Sequence, residues 1–276
     1  MPKVKVGDIN MYYEIHGEGE PLVFIDGRNM CHDLLYKHVP VFAKEYQVIS
    51  FDNRGVGKSD KPDVPYSLEM MANDLAGLLD VIGIEKAHFM GYSMGARIAE
   101  EMALSYPERV ISLVLACPIT WSIELHNQPE LPTAEERMRR VPPSPEETAR
   151  DFLARVLSEE FIKNNHKLKE KLVKIIKKGY GPPHAQNWHA HASDTYDNYK
   201  RLPQIKAPTI IIAGSADRTV SLDNIRILKE RLPGAELAIM EKMPHFLMWE
   251  GFDEFNRIVL DFLRRHSSSG KEVKNA

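Results

Sequence analysis

Residues 88–110 read HFMGYSMGARIAEEMALSYPERV, with Ser93 standing between two glycines where an apolar run gives way to an amphipathic one. By composition alone G-x-S-x-G means little: with Gly and Ser each near ~7% of residues, it arises by chance in roughly one chain of this length in ten. Its surroundings carry the meaning. Ala87 to Met90 is an apolar run of strand length, and Ile98, Ala99, Met102, Ala103 and Tyr106 keep helical spacing until Pro107 ends it. Strand, tight serine turn and helix together make the layout of a nucleophile elbow. The glycines are needed because a Cβ at those positions would strike the neighbouring strand or helix. The hydroxyl then stands beside a helix N-terminus, where backbone N–H groups and the dipole favour developing negative charge.

Working outward, Lys3 to Val6, a Gly7-Asp8 turn and Ile9 to Ile15 read as a β-hairpin, broken by Gly17 and Gly19. Short apolar runs then recur at Leu22 to Ile25, Val48 to Phe51, Val110 to Ala116, Thr209 to Ala213 and Glu236 to Met240. Most are apolar on both parities, as parallel strands covered on both faces should be. Helical stripes separate them: Leu68, Met71, Leu75, Leu78, Leu79 and Ile82 after a Ser67 N-cap, and later Phe255, Ile258, Val259 and Phe262. This alternation predicts an α/β fold with a mostly parallel central sheet flanked by helices.

From 118 to 202 no strand pattern appears, while proline and charge rise. So long a stretch is not a structureless loop in a compact domain. The pattern predicts helices over 146–158 and 159–178, forming a helical lid (118–202) inserted into a core made of 1–117 and 203–266. The Lys-rich stretch 163–179 reads as a solvated helix face, with a site for an acidic partner as the other reading. The polar tail, 267–276, is expected to be disordered.

The net charge of −3 offers no basic field for nucleic acid or an anionic membrane. The N-terminus lacks the apolar core of a signal peptide, and no run reaches the ~18 apolar residues of a transmembrane helix. Cys31 and Cys117, the only two cysteines, make no disulfide framework, so a cytoplasmic location is expected. The sequence leaves the oligomeric state open.

A serine at its normal pKa is a poor nucleophile and needs a base, itself oriented by an acid. Eleven histidines compete for the first role. His88 falls inside a predicted strand, and His184, His189 and His191 fall in the predicted lid. His245, in MEKMPHFLMWE (240–250), follows the last predicted strand in the loop before the final helix. Asp217, in IIIAGSADRTV (210–220), lies just beyond another strand. Both are therefore expected at the C-terminal edge of the sheet, in the chain order Ser93, Asp217, His245. His184, His189, His191 and Asp194 were weighed as a metal site, but no helical H-E-x-x-H or Cys partner supports one, and none is expected.

With the elbow, FDNRGVGKSD (51–60), RLPQIKAPTIIIAGSAD (201–217) and MPHF (243–246), nearly the whole chain resembles the α/β-hydrolase superfamily, and within it the small intracellular esterase and enol-lactonase branch. The resemblance implies a cofactor-free serine hydrolase with Ser93 as nucleophile, His245 as base and Asp217 as its orienting acid. It assigns the oxyanion hole to the backbone N–H groups of Met94 and Arg28. The expected substrate is a small to medium carboxylic ester or lactone. A C–C bond or enol-lactone hydrolase, a ligand-binding receptor and a lyase retaining the triad are the alternatives.

One departure stands out in FIDGRNM (24–30), where Asp26 replaces the family's usual histidine and Gly27 lets the chain pass close to the site. Either Asp26 is ionised beside the hole, with Arg28 or Arg54 neutralising it, or it points away and anchors the loop. The loop 52–59 reads as structural, with Arg54 tying down backbone carbonyls. Asp26, Gly27, Trp121, Trp188 and Phe246 are the candidate pocket residues. Met30, Met94, Met243 and Met248 suit an apolar acyl pocket and a packed core equally well.

Overall fold

A computed structural model describes residues 2–119, 132–139, 141 and 143–267. Trp121, and all of the expected disordered tail except Ser267, lie outside the described residues. Among the described residues eight strands form one sheet: β1 (Lys3–Val6), β2 (Ile9–His16), β3 (Glu20–Ile25), β4 (Tyr46–Phe51), β5 (Ala87–Tyr92), β6 (Val110–Ala116), β7 (Thr209–Gly214) and β8 (Glu236–Met240). Their spatial order is β1-β2-β4-β3-β5-β6-β7-β8. The β1–β2 and β2–β4 pairs are antiparallel; every later pair is parallel. Each predicted strand is present, several extended by one or two residues.

Helices cover both faces. Before β6 come α1 (Val39–Phe42), α2 (Leu68–Val81) and α3 (Met94–Ser105). The Ser67 hydroxyl accepts the Met70 N–H, the predicted N-cap of α2. Between β6 and β7 the described residues form α4 (Ala134–Met138), α5 (Pro145–Val156), α6 (Glu159–Asn164), α7 (His166–Gly179) and α8 (Pro183–Thr195), with no strand among them. The single helix expected over 159–178 is broken at Asn165, whose side-chain amide donates to the Phe161 carbonyl and so competes with the backbone ladder. After β7 come α9 (Leu222–Arg231), α10 (Leu247–Glu250) and α11 (Phe252–His266).

The sheet separates two cores. Val23, Ile25, Phe89, Leu113 and Ile211 pack beneath α2, α3 and α9, while Leu22, Phe24, Met90, Val114 and Ile212 pack against α1, α5 and α11. Alternate side chains of each strand thus go to opposite faces and both faces are dry, each buried Leu, Ile, Val or Phe contributing about 1.5–3 kcal/mol. Among the described residues no helix is long and apolar enough to cross a membrane. Cys31 and Cys117 are both buried and free.

From β3 the chain crosses to β4 on one side and then returns to β5 on the other. Such a reversal opens a crevice at the carboxyl ends of the adjacent strands. Ile25 is in register with Gly91, so the loop leaving β3 emerges beside the turn leaving β5.

Candidate active site

Ser93 is the hinge of that turn, with φ 52° and ψ −115°, a conformation costly for any residue bearing a Cβ. Two neighbours make the turn possible. A Cβ on Gly91 would lie 2.3 Å from the Gly95 carbonyl oxygen, and a Cβ on Gly95 would lie 2.1 Å from that of Ile25. The Ser93 N–H donates to the Ala116 carbonyl at 2.8 Å, fixing the turn to β6. Met94 then supplies the first N–H of α3, one of those a helix leaves without an internal acceptor.

Asp217 and His245 arrive from the loops after β7 and β8. Asp217 Oδ1 accepts the backbone N–H groups of Thr219 and Val220 at 2.7 and 3.0 Å, which orients the carboxylate. Its Oδ2 stands 2.7 Å from His245 Nδ1, and both side chains are almost wholly buried. His245 Nε2 in turn stands 3.2 Å from Ser93 Oγ. The three predicted residues are therefore brought into one line. Gly214 permits the close approach of their loops, because a Cβ there would be 2.1 Å from the Met243 carbonyl oxygen. Behind them the buried Cys117 thiol donates to the His245 carbonyl. Burial, and then the Asp217 charge, hold that thiol well above its ordinary pKa.

The loop after β3 forms a turn closed by the Met30 N–H on the Gly27 carbonyl at 3.2 Å. Asp26, just before it, is 4% exposed, and its Oδ2 makes no hydrogen bond. Burial, reinforced by the negative charge of Asp52, raises its pKa well above the usual carboxylate value. Of the two readings of Asp26, this environment disfavours the ionised one. Nor do the arginines neutralise it. Arg54 is buried and bonds Asp74 through Nε at 2.6 Å and Nη2 at 2.8 Å, with Asp8 also on Nη2. It ties down carboxylates rather than the expected backbone carbonyls. Arg28 lies 3.7 Å from Asp194.

Ser93 and His245 open onto a cavity of about 330 Å³. Arg28, Asn29, Met30, Tyr92 and Thr219 contribute to its wall from the sheet edge; Phe152 and Arg155 of α5, Tyr180, and Gln186 and Asn187 of α8 contribute from the helical segment. Asp26, Gly27, Trp188 and Phe246 are not among the wall residues. Trp188 faces the other way along α8, where its Nε1–H donates to Asp63 at 2.9 Å and its ring joins the core beneath α2. Phe246 packs behind Tyr92 and Phe152, at ring distances of 5.5 and 5.8 Å. Of the four methionines only Met30 faces the cavity; Met94 and Met248 are core residues, and Met243 packs against the core.

Two of the three histidines considered as metal ligands turn to different backbone partners. His184 Nε2 meets the Lys61 carbonyl, while His189 meets the Arg54 carbonyl and the Asn29 N–H. Tyr92, Phe152, Arg155 and Tyr180 were missed from the sequence; only the place of Tyr92 beside the elbow serine hinted at its position.

Comparison with known proteins agrees with this geometry. The model of a family described as the alpha/beta hydrolase fold matches residues 20–252. A 2-hydroxy-6-oxononadienedioate/2-hydroxy-6-oxononatrienedioate hydrolase of Burkholderia vietnamiensis is 32% identical over 270 residues, 94% of this chain and 92% of that one. The crystal structure of the enol-lactonase from Burkholderia xenovorans superposes with a TM-score of 0.83 at 23% identity, over 95% of this chain and 99% of that one, a likeness of fold. Est816, described as an N-acyl homoserine lactone degrading enzyme, gives a TM-score of 0.81 at 27% identity, covering 95% of this chain and 100% of that one. The chain belongs to the α/β-hydrolase fold family.

Proposed function

We propose that this chain is a serine hydrolase acting on small to medium carboxylic esters or lactones. The observation that carries the reading is the line from Ser93 Oγ to His245 Nε2 at 3.2 Å and from Nδ1 to Asp217 at 2.7 Å, opening onto the cavity. His245 Nε2 takes the hydroxyl proton as Ser93 Oγ bonds to the carbonyl carbon, and the π electrons move onto the carbonyl oxygen. The Met94 and Arg28 N–H groups hold that oxyanion, and Asp217 stabilises the imidazolium. Collapse expels the alkoxide, which takes the proton from His245. Water, deprotonated by His245, then adds to the acyl carbon; collapse breaks the bond to Ser93 Oγ, which takes that proton back from His245 as the acid leaves. No resident cofactor enters this chemistry. The helical segment serves as the lid, and we retain a cytoplasmic location and a small-molecule partner as part of the proposal.

A second reading, hydrolysis of a C–C bond next to a ketone, is favoured by the 32% identical relative, whose name carries that type of substrate. Turnover of p-nitrophenyl acetate, butyrate and octanoate by the chain and by Ser93→Ala tests the first. A pre-steady-state burst in the former and no turnover in the latter is expected. Turnover surviving in Ser93→Ala would overturn the acyl-enzyme. Cleavage of a vinylogous diketone with no ester turnover would favour the second reading.

A further inference from the structure

His189 lies in α8, yet its ring joins two loops distant in sequence, and it is fully buried. Its Nε2 is 2.7 Å from the Arg54 carbonyl oxygen, and its Nδ1 is 3.3 Å from the backbone nitrogen of Asn29. A carbonyl only accepts, so Nε2 carries the proton and the neutral ring presents its lone pair at Nδ1. The Asn29 N–H is the matching donor.

That N–H belongs to the peptide joining Arg28 to Asn29, the central peptide of the turn closed by Met30 on Gly27. Asn29 has φ 60°, whereas Arg28 is absent from the positive-φ residues, the combination of φ signs found in a type II turn. The type I alternative turns the central peptide over and removes its N–H from His189. We infer that His189 is a positioning residue: by accepting the Asn29 N–H it locks this peptide, and with it the adjoining Arg28 N–H offered to the oxyanion. The inference rests on the serine hydrolase reading.

The surroundings suit the task. Gly55 leaves room for the ring, since a Cβ there would be 2.9 Å from His189 Nε2, and Tyr66 packs edge-on at 5.7 Å. Burial first, then the Arg28 and Arg54 charges, push the imidazole pKa down to about 4 against the raising effect of the Arg54 carbonyl. The ring therefore stays in the form that accepts at Nδ1. Small displacements matter here: moving a reacting or stabilising group by about 1 Å costs on the order of a hundredfold in rate.

Two substitutions separate the two bonds. Asparagine places its amide oxygen near the Nδ1 position, and glutamine places its amide nitrogen near the Nε2 position. His189→Asn thus keeps the acceptor for Asn29, and His189→Gln keeps the donor to Arg54. Steady-state kinetics with p-nitrophenyl butyrate, beside Ser93→Ala and thermal unfolding of each variant, should show kcat within about threefold of the unaltered chain for His189→Asn. For His189→Gln kcat should fall about tenfold or more, with KM near its original value in both. Unchanged turnover in His189→Gln, or an equal loss of kcat in the two variants, would overturn the inference. Turnover that survives Ser93→Ala, or is absent from the unaltered chain, overturns the hydrolase reading instead, and the inference with it.

Discussion

Asp217 presents one oxygen to His245 Nδ1 at 2.7 Å while its other oxygen is fixed by two backbone N–H groups, so the carboxylate has a single way to sit. In Asp217→Asn the amide oxygen must stay with the Thr219 and Val220 N–H groups, which turns the NH₂ toward His245. That NH₂ only donates, so Nδ1 becomes the acceptor and Nε2 carries the proton. Ser93 then faces a donor and loses its base. The expected result is a fall in kcat of about 10⁴-fold with little change in unfolding temperature, measured with p-nitrophenyl butyrate and by thermal denaturation. A loss below about tenfold would mean that the orienting acid lies elsewhere.

The same edge of the sheet sets a steric test. A methyl group at Gly95 would collide with the Ile25 carbonyl, whereas one at Gly234 meets nothing within 4 Å. Gly95→Ala is expected to cost about 1–3 kcal/mol and to abolish phosphonate labelling of Ser93. Gly234→Ala should be neutral or stabilising by up to about 1 kcal/mol, because it restricts the unfolded chain without strain. Urea denaturation and active-site labelling of both variants check the pair. Full labelling of Gly95→Ala would show that the elbow yields to a methyl group.

Asp26 gives a prediction in pH. Its folded-state pKa is raised above the ordinary 3.8, so the folded chain keeps a proton that the unfolded chain releases. This group's contribution is fully present below 3.8 and is lost as pH rises through the folded-state value. Asp26→Asn removes the titration. Its stability relative to the original chain should therefore increase with pH, by about 1.4 kcal/mol per unit while the folded group remains protonated. Chemical denaturation from about pH 4 to about pH 8 measures it; a difference that stays flat would show the carboxyl ionised in the fold.

The residues legible in the sequence were those whose place follows from a strand end. Ser93, Asp217 and His245 each stand within a few residues of an apolar run, and parallel pairing brings such ends together. The pocket was less legible because it depends on which way a side chain turns. Trp188 was expected at the cavity, yet its indole N–H finds Asp63 on the opposite side of α8. Phe246 directly follows His245, but its ring is drawn under Tyr92. The burial of Asp26 follows from tertiary packing beyond the end of β3 and leaves no periodic trace in the sequence. His189 was visible only as one histidine among several, because its two partners lie 135 and 160 residues away along the chain.

The cavity wall has a divided origin. Ser93 and His245 hang from strands, while Thr148, Phe152, Arg155, Gln186 and Asn187 come from one stretch between β6 and β7. The reacting side chains thus hang from the sheet, whereas the inserted stretch supplies much of the wall and, through His189, a brace on the loop after β3. Changes at these five helical wall residues alter the cavity while leaving the hydrogen bonds among Ser93, His245 and Asp217 untouched. The shape of the cavity is thereby adjustable at constant geometry of the reacting groups, provided His189 keeps its place.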